Sequence, residues 1–140
     1  MRLQTSVEGQ RRIQGFEILK LQPYRDGNGW SIGYGHNSLD KPKPVTKAEA
    51  VDLFVNDMFN FEQELKRVSH GFTYTQNEWD ATMDVLYNVG LTSLIDDCQF
   101  FHFMRLGNKE AAANELLKLD KGNPVIKIRR MVDVSIFKHP

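Results

Sequence analysis

The 140-residue chain has a single cysteine, Cys98, so no internal disulfide holds the fold together. It has no net charge either: 18 Lys and Arg balance 18 Asp and Glu, which argues against a nucleic-acid binder with its usual basic excess. No apolar run approaches the roughly 18 residues of a membrane-spanning helix. Met1-Arg2-Leu3-Gln4-Thr5 lacks the apolar stretch of a secretory signal, so the chain is expected to be made in a reducing cytosol and to need help to leave it. Internal repeats and low-complexity tracts are missing too, which sets aside solenoids and linkers. What remains is 41% hydrophobic and 26% charged, the balance of an ordinary globular domain.

The zero charge is partitioned. Residues 1–45 carry seven basic and four acidic side chains, residues 46–120 six and thirteen, and residues 121–140 five and one. Such blocks form solvated faces, or they bring two basic ends together around an anionic ligand or a working carboxylate. Both readings stay open at this point.

Residues 22–46 hold three of five prolines and four of ten glycines. Asp26-Gly27-Asn28-Gly29 has the composition of a tight hairpin turn, with short strands expected at Gln22–Arg25 and Trp30–Tyr34. The rest reads as helix. A first helix is expected over Val7–Leu19. Capping boxes at Thr46–Glu49 and Thr75–Glu78 open two more, the second closed by Gly90. Further helices are expected near 94–106, 108–120 and 124–137. A helix, a small sheet and then several helices make an α+β domain with a minor β lobe.

Within that frame Glu17 falls at the end of the first helix and Asp26 at the hairpin nine residues on. Two carboxylates in different surroundings suit glycosidic hydrolysis, in which one donates a proton to the leaving oxygen and the other activates water or attacks the sugar. On spacing alone the pair reads as a helix-end carboxylate and a turn aspartate, since Asp is ordinary in turns. The four histidines, His36, His70, His102 and His139, have no metal-ligand spacing, and no metal or cofactor is expected.

The surrounding residues are more specific. Glu17, Asp26 and Ser31, then Ile32-Gly33-Tyr34-Gly35-His36, resemble the phage-type lysozymes, glycoside hydrolase family 24, which carry a Glu, an Asp nine residues on, a Thr and Ile-Gly-x-Gly-His. The resemblance continues through Val45–Ala50, Thr75–Ala81, Tyr87-Asn88-Val89-Gly90 and Arg129-Arg130-Met131-Val132-Asp133, in the family's order. It departs in three places, one being that the last helix lacks the aromatic residue common before it. The step from Asp26 to Ser31 is one residue shorter than in many members, and Ile18 stands where the family usually has Gly.

The resemblance implies a single lysozyme-like domain over 1–140, with a small β-hairpin lobe at about 20–45 packed against a larger helical lobe. It implies a muramidase cleaving between N-acetylmuramic acid and N-acetylglucosamine in peptidoglycan, for phage lysis of the bacterial wall. Glu17 would be the general acid, Asp26 the base, nucleophile or electrostatic partner, and Ser31 the hydroxyl holding the catalytic water or shielding the anomeric carbon. Tyr34, Asn37, Tyr87, Asn88, Gln99 and Asn114 would contact substrate. His36 would pair with an acid and fix the sheet, and Arg129 or Arg130 would reach the Glu17 region. The implied enzyme is a monomer without stable membrane insertion, acting on the wall in the periplasm through a holin or other permeabilising partner, or carried by the virion. A lytic transglycosylase, or a non-catalytic glycan-binding virion module on the same fold, are the alternatives.

Overall fold

In the computed structural model, which describes residues 3–140, the chain opens with a helix whose start is set by one serine. Ser6 Oγ accepts from the Gly9 amide at 3.0 Å and so caps α1 (Val7–Glu17). The helix stops two residues before the expected Leu19, because Ile18 turns to φ +51° and leaves the right-handed region. Glu17 is therefore the last helical residue, at the point where the chain turns into the sheet.

The sheet has three antiparallel strands in the order β1 (Lys20–Asp26), β2 (Gly29–Gly33), β3 (His36–Ser38). The hairpin expected at Asp26–Gly29 is present with a two-residue loop, and only Gly27 of that loop has positive φ, +61°. β1 runs longer than expected and tolerates Pro23 because it is an edge strand. The register slips between Lys20 and Tyr24, around the residue that has no N–H to give. The third strand was not expected; at three residues it is too short to show a period in sequence. Gly33 and Gly35, at φ +68° and +77°, turn the chain from β2 into β3.

α2 (Lys47–Val68) starts with its capping box formed, Glu49 N donating to Thr46 Oγ1 at 3.1 Å and Thr46 N to Glu49 Oε1 at 3.0 Å. The second box, at Thr75 and Glu78, opens α3 (Gln76–Val89), which closes on Gly90 at φ +84°. The single helix expected over 94–106 is two short ones, α4 (Leu91–Asp96) and α5 (Phe100–Arg105). The backbone breaks between them because the Gln99 amide finds its acceptor outside the helix, at Glu115 Oε1, 2.7 Å away. α6 (Lys109–Glu115) tightens into a 3₁₀ turn at Leu116–Lys118. α7 (Pro124–Lys138) is capped by Asn123 and starts on a proline, whose missing N–H costs nothing there.

These elements form two compact units. One comprises 11–60. It holds the last turns of α1, the sheet and most of α2, around Ile13, Ile32, Ala50, Phe54 and Met58. The other comprises the described residues through Gln10 together with Phe61–Pro140. Its centre is α3, buried from Glu78 to Tyr87, with Trp79 edge-on to Tyr74 at 5.4 Å and Phe100 packed against Phe137 at 5.9 Å. No helix among the described residues is long and apolar enough to cross a membrane.

Candidate active site

Strand pairing brings four polar side chains of the 11–60 unit into one group. Tyr24 lies opposite Ser31, and Ser31 lies opposite Asn37, so one rung crosses all three strands. Asp26 is two residues past Tyr24 and so falls on the same face. Ser31 Oγ is 2.8 Å from Asp26 Oδ2 and 2.9 Å from the side-chain amide of Asn37 at Oδ1. Ser31 is 0% exposed, whereas Asp26 and Asn37 both reach solvent.

Tyr24 joins this group. Burial pushes its phenol above the usual range, a hydrogen bond with Ser31 offsets part of that, and the charges of Asp26 and Glu17 push it up further. The two carboxylates that the sequence singles out thus share Tyr24 as a neighbour. Sequence reasoning did not assign Tyr24 a role. Its period-two spacing from Asp26 along one strand was the available signal.

Glu17 is placed by contact with the glycine turn. A Cβ at Gly35 would stand 2.5 Å from Glu17 Oε1 and 3.3 Å from its Cδ, so the carboxyl group lies directly over that glycine. Gly33 is close to α2 in the same way, a Cβ there meeting the Ala50 methyl at 3.4 Å. His36 Nδ1 sits 2.8 Å from Asp57 Oδ2, tying β3 to α2. The Tyr34 ring stands edge-on to Phe54 at 5.6 Å. Glu17, Asp26, Ser31, Tyr34, His36 and Asn37 therefore all belong to one unit.

The other expected site residues belong to the second unit. Tyr87 is buried with its ring 5.5 Å from Phe61. Arg129 lays its guanidinium along Asp84, Nη2 donating at 2.7 Å and Nε at 3.0 Å. Arg130, 0% exposed, donates to Asp133 at 2.7 Å, to the Leu119 carbonyl at 3.1 Å and to the Asn88 side-chain oxygen. Asn88 is thus bound to this buried charged group. Asn114 is exposed and accepts from Lys138 at 2.8 Å, beside the Lys138–Glu110 ion pair. Gln99 is exposed and lines a shallow cavity of about 420 Å³ with Cys98, Phe101 and His102.

Asp133 and Asp84 are neighbours among the arginines. Burial raises the Asp133 carboxyl well above its ordinary range, as do the charge of Asp84 and the hydrogen bond between them, with Arg130 and Arg129 opposing. Geometry agrees: Asp133 Oδ1 is buried without a donor, and a proton on it supplies the donor that the contact with Asp84 needs.

The sequence pattern of the phage lysozyme family matches residues 14–132. The endolysin of Bacillus phage B103 is 29% identical over 142 aligned positions, covering 94% of this chain and 53% of the endolysin. The endolysin of Acyrthosiphon pisum secondary endosymbiont phage 1 is 24% identical, covering 95% of this chain and 97% of that protein. The chain therefore spans about half the length of the first of these and nearly all of the second. Among solved structures, the endolysin of Escherichia coli O157:H7 phage FAHEc1 superposes with a TM-score of 0.82 at 28% identity, covering 99% of this chain and 95% of that one. The muramidase domain of SpmX from Asticaccaulis excentricus superposes at 0.86 with 24% identity, covering 99% and 100%, and shares the fold. With the pattern running from Gln14 to Val132 through the site just described, the chain belongs to the phage lysozyme family.

Proposed function

We propose that the chain hydrolyses peptidoglycan during phage lysis, cutting the β-1,4 bond between N-acetylmuramic acid and N-acetylglucosamine. The observation that carries this reading is the pair of differently held carboxylates, Glu17 seated over Gly35 and Asp26 fixed by the buried Ser31 hydroxyl. Glycosidic cleavage needs two such groups with separate tasks. Glu17 gives its proton to the leaving oxygen as the bond from the anomeric carbon breaks. Asp26 accepts a proton from the water that adds to that carbon, so one fragment gains a reducing end, the other a non-reducing end, and one water is consumed. His36, held by Asp57, keeps the glycine turn beneath Glu17 in place. Family membership and the endolysin relatives support this reading.

A lytic transglycosylase needs the acid but no partner carboxylate that activates water. Asp26 held at 2.8 Å by Ser31 favours hydrolysis. In the same reading the chain works as one lysozyme domain and a monomer, with no cofactor, made in the host cytoplasm and reaching the wall through a holin or similar permeabilising partner. Tyr34, Tyr87, Asn88, Gln99 and Asn114 remain proposed substrate contacts, and Arg129 and Arg130 proposed positioning residues.

The test is clearance of purified peptidoglycan by the parent and by Glu17→Gln, with product analysis. The parent clears the suspension and releases reducing ends, and the variant, folded as the parent by circular dichroism, does not. Equal clearance by both removes Glu17 from catalysis, and anhydro-sugar products replace hydrolysis by transglycosylation.

A further inference from the structure

Ser31 is a hub with more neighbours than it has protons. A serine hydroxyl carries one proton and two lone pairs. Around Ser31 Oγ stand the Asp26 carboxylate at 2.8 Å, the Asn37 amide at 2.9 Å and the Tyr24 phenol. A carboxylate only accepts, so Asp26 takes the one proton that Ser31 has. Asn37 must then donate, through an N–H brought to face Ser31 by a half-turn of its amide. At 0% exposure the hydroxyl commits its one proton inside this group.

We propose that Asn37 is a positioning residue that acts through Ser31, fixing the hydroxyl so that its proton is directed to Asp26 alone. The inference rests on Asp26 being the water-activating carboxylate. It turns Asn37 from a sugar contact into the outer end of a chain that runs Asn37 to Ser31 to Asp26. Both ends reach solvent and the middle is buried, so a change at the exposed Asn37 alters Asp26 without cutting into the core. The titratable groups around this hub are Tyr24, Asp26 and Glu17. His36 and Asp57 serve the neighbouring rung, where His36 lies opposite Ile32, and alternation points His36 to the other face. A leucine at 37 removes a donor. An aspartate of nearly the same shape does more, because its ionised form competes with Asp26 for the Ser31 proton.

The experiment measures initial rates of clearance of purified peptidoglycan against substrate concentration from pH 3 to 8, for the parent, Asn37→Leu and Asn37→Asp. Near pH 7 Asn37→Asp is expected to lose kcat by about 10-fold or more, the scale of one hydrogen bond to a charged group, with KM within 2-fold. Its rate relative to the parent should recover as pH falls through the ordinary aspartate range near ~4, where a protonated side chain donates to Ser31 again. Asn37→Leu should show a smaller loss that does not change with pH. A rise in KM with kcat intact, or a rate ratio for Asn37→Asp that is flat with pH, overturns the proposal.

A second measurement is independent of turnover. The Asp26 carboxyl is titrated by carbon NMR in the parent, Asn37→Asp, Ser31→Ala and the double variant. If the effect travels through the hydroxyl, Asn37→Asp moves the Asp26 midpoint up by about one pH unit in the parent background and by less than half that in the Ser31→Ala background. Equal shifts in both backgrounds mean direct repulsion and refute the chain. A protein that shows this dependence on Ser31 yet leaves peptidoglycan intact refutes the enzymatic reading and leaves the hydrogen-bond chain standing.

Discussion

Adding one methyl group at Gly35 separates the stability of the site from its chemistry. Gly35 has φ +77°, and a Cβ built there stands 2.5 Å from Glu17 Oε1, where ordinary contact begins at 3.4 Å. In Gly35→Ala the carboxyl group must therefore withdraw by about 0.9 Å, the difference between those two distances. It can do so at small cost in stability, since Oε1 is the far end of a rotatable side chain. The stability loss comes instead from the left-handed backbone, about 1–2 kcal/mol for a residue with a Cβ. At this chain length that corresponds to a fall in Tm of roughly 3–8 °C. A displacement of about 1 Å in a proton donor costs on the order of 100-fold in rate. Gly107→Ala is the control: its φ is +72° and no atom lies within 4 Å, so it bears the same backbone strain without the clash. Both variants should melt a few degrees early by calorimetry. Only Gly35→Ala should lose peptidoglycan clearance, assayed at least 20 °C below its Tm. Parent-like clearance by Gly35→Ala, or an equal loss in Gly107→Ala, refutes the idea that this glycine seats Glu17.

Two further outcomes test the surroundings of the site. Ile18 is a β-branched residue at φ +51° and 61% exposed, so Ile18→Gly relieves backbone strain and gives up little burial. A net gain of about 0.5–1 kcal/mol is expected once the greater chain entropy of glycine is deducted, seen as a Tm higher by roughly 2–4 °C. Asp133 tests the buried charged group. Its folded-state affinity for a proton is raised, so the stability it contributes is complete below the unfolded aspartate range near ~4 and is lost as pH rises through the higher folded value. Asn imitates the protonated acid, accepting from Arg130 and donating to Asp84. The stability of Asp133→Asn relative to the parent should therefore increase with pH in urea melts between pH 4 and 9, and parallel curves would show that folding does not raise the proton affinity of Asp133.

Much of the fold was legible because its signals are local. Thr46 and Glu49, and Thr75 and Glu78, announce helix starts three residues apart, and both capping boxes form. The hairpin around Gly27 is equally local. What failed to show were features decided by a distant partner. The break at 97–99 depends on Glu115 reaching the Gln99 amide, sixteen residues away in sequence. One partner of Arg129 is Asp84, which carries no motif of its own in the sequence and lies among apolar residues of α3. β3 exists because Gly33 and Gly35 turn the chain back onto β2, and three residues cannot display a strand period.

The candidate site shows the same division and explains why two departures from the family sit where they do. Glu17, Asp26 and Ser31 were legible from spacing and resemblance, because each is attached to a short-range turn or helix end. The contacts of Ser31 with Asp26 and Asn37 were not, because they depend on register: sliding β2 by one residue against its neighbours would turn Ser31 away from both. That register is set by the two-residue loop at Gly27-Asn28, which is also where the step from Asp26 to Ser31 is one residue shorter than in many relatives. This loop pairs Tyr24 with Ser31 and leaves the Ser31 hydroxyl 2.8 Å from Asp26. A second departure lies at Ile18. The family's usual glycine fits a left-handed residue after the helix, and isoleucine holds the same φ at a cost in strain. The turn that ends the first helix at Glu17 is thus held against the local preference of the residue that follows it.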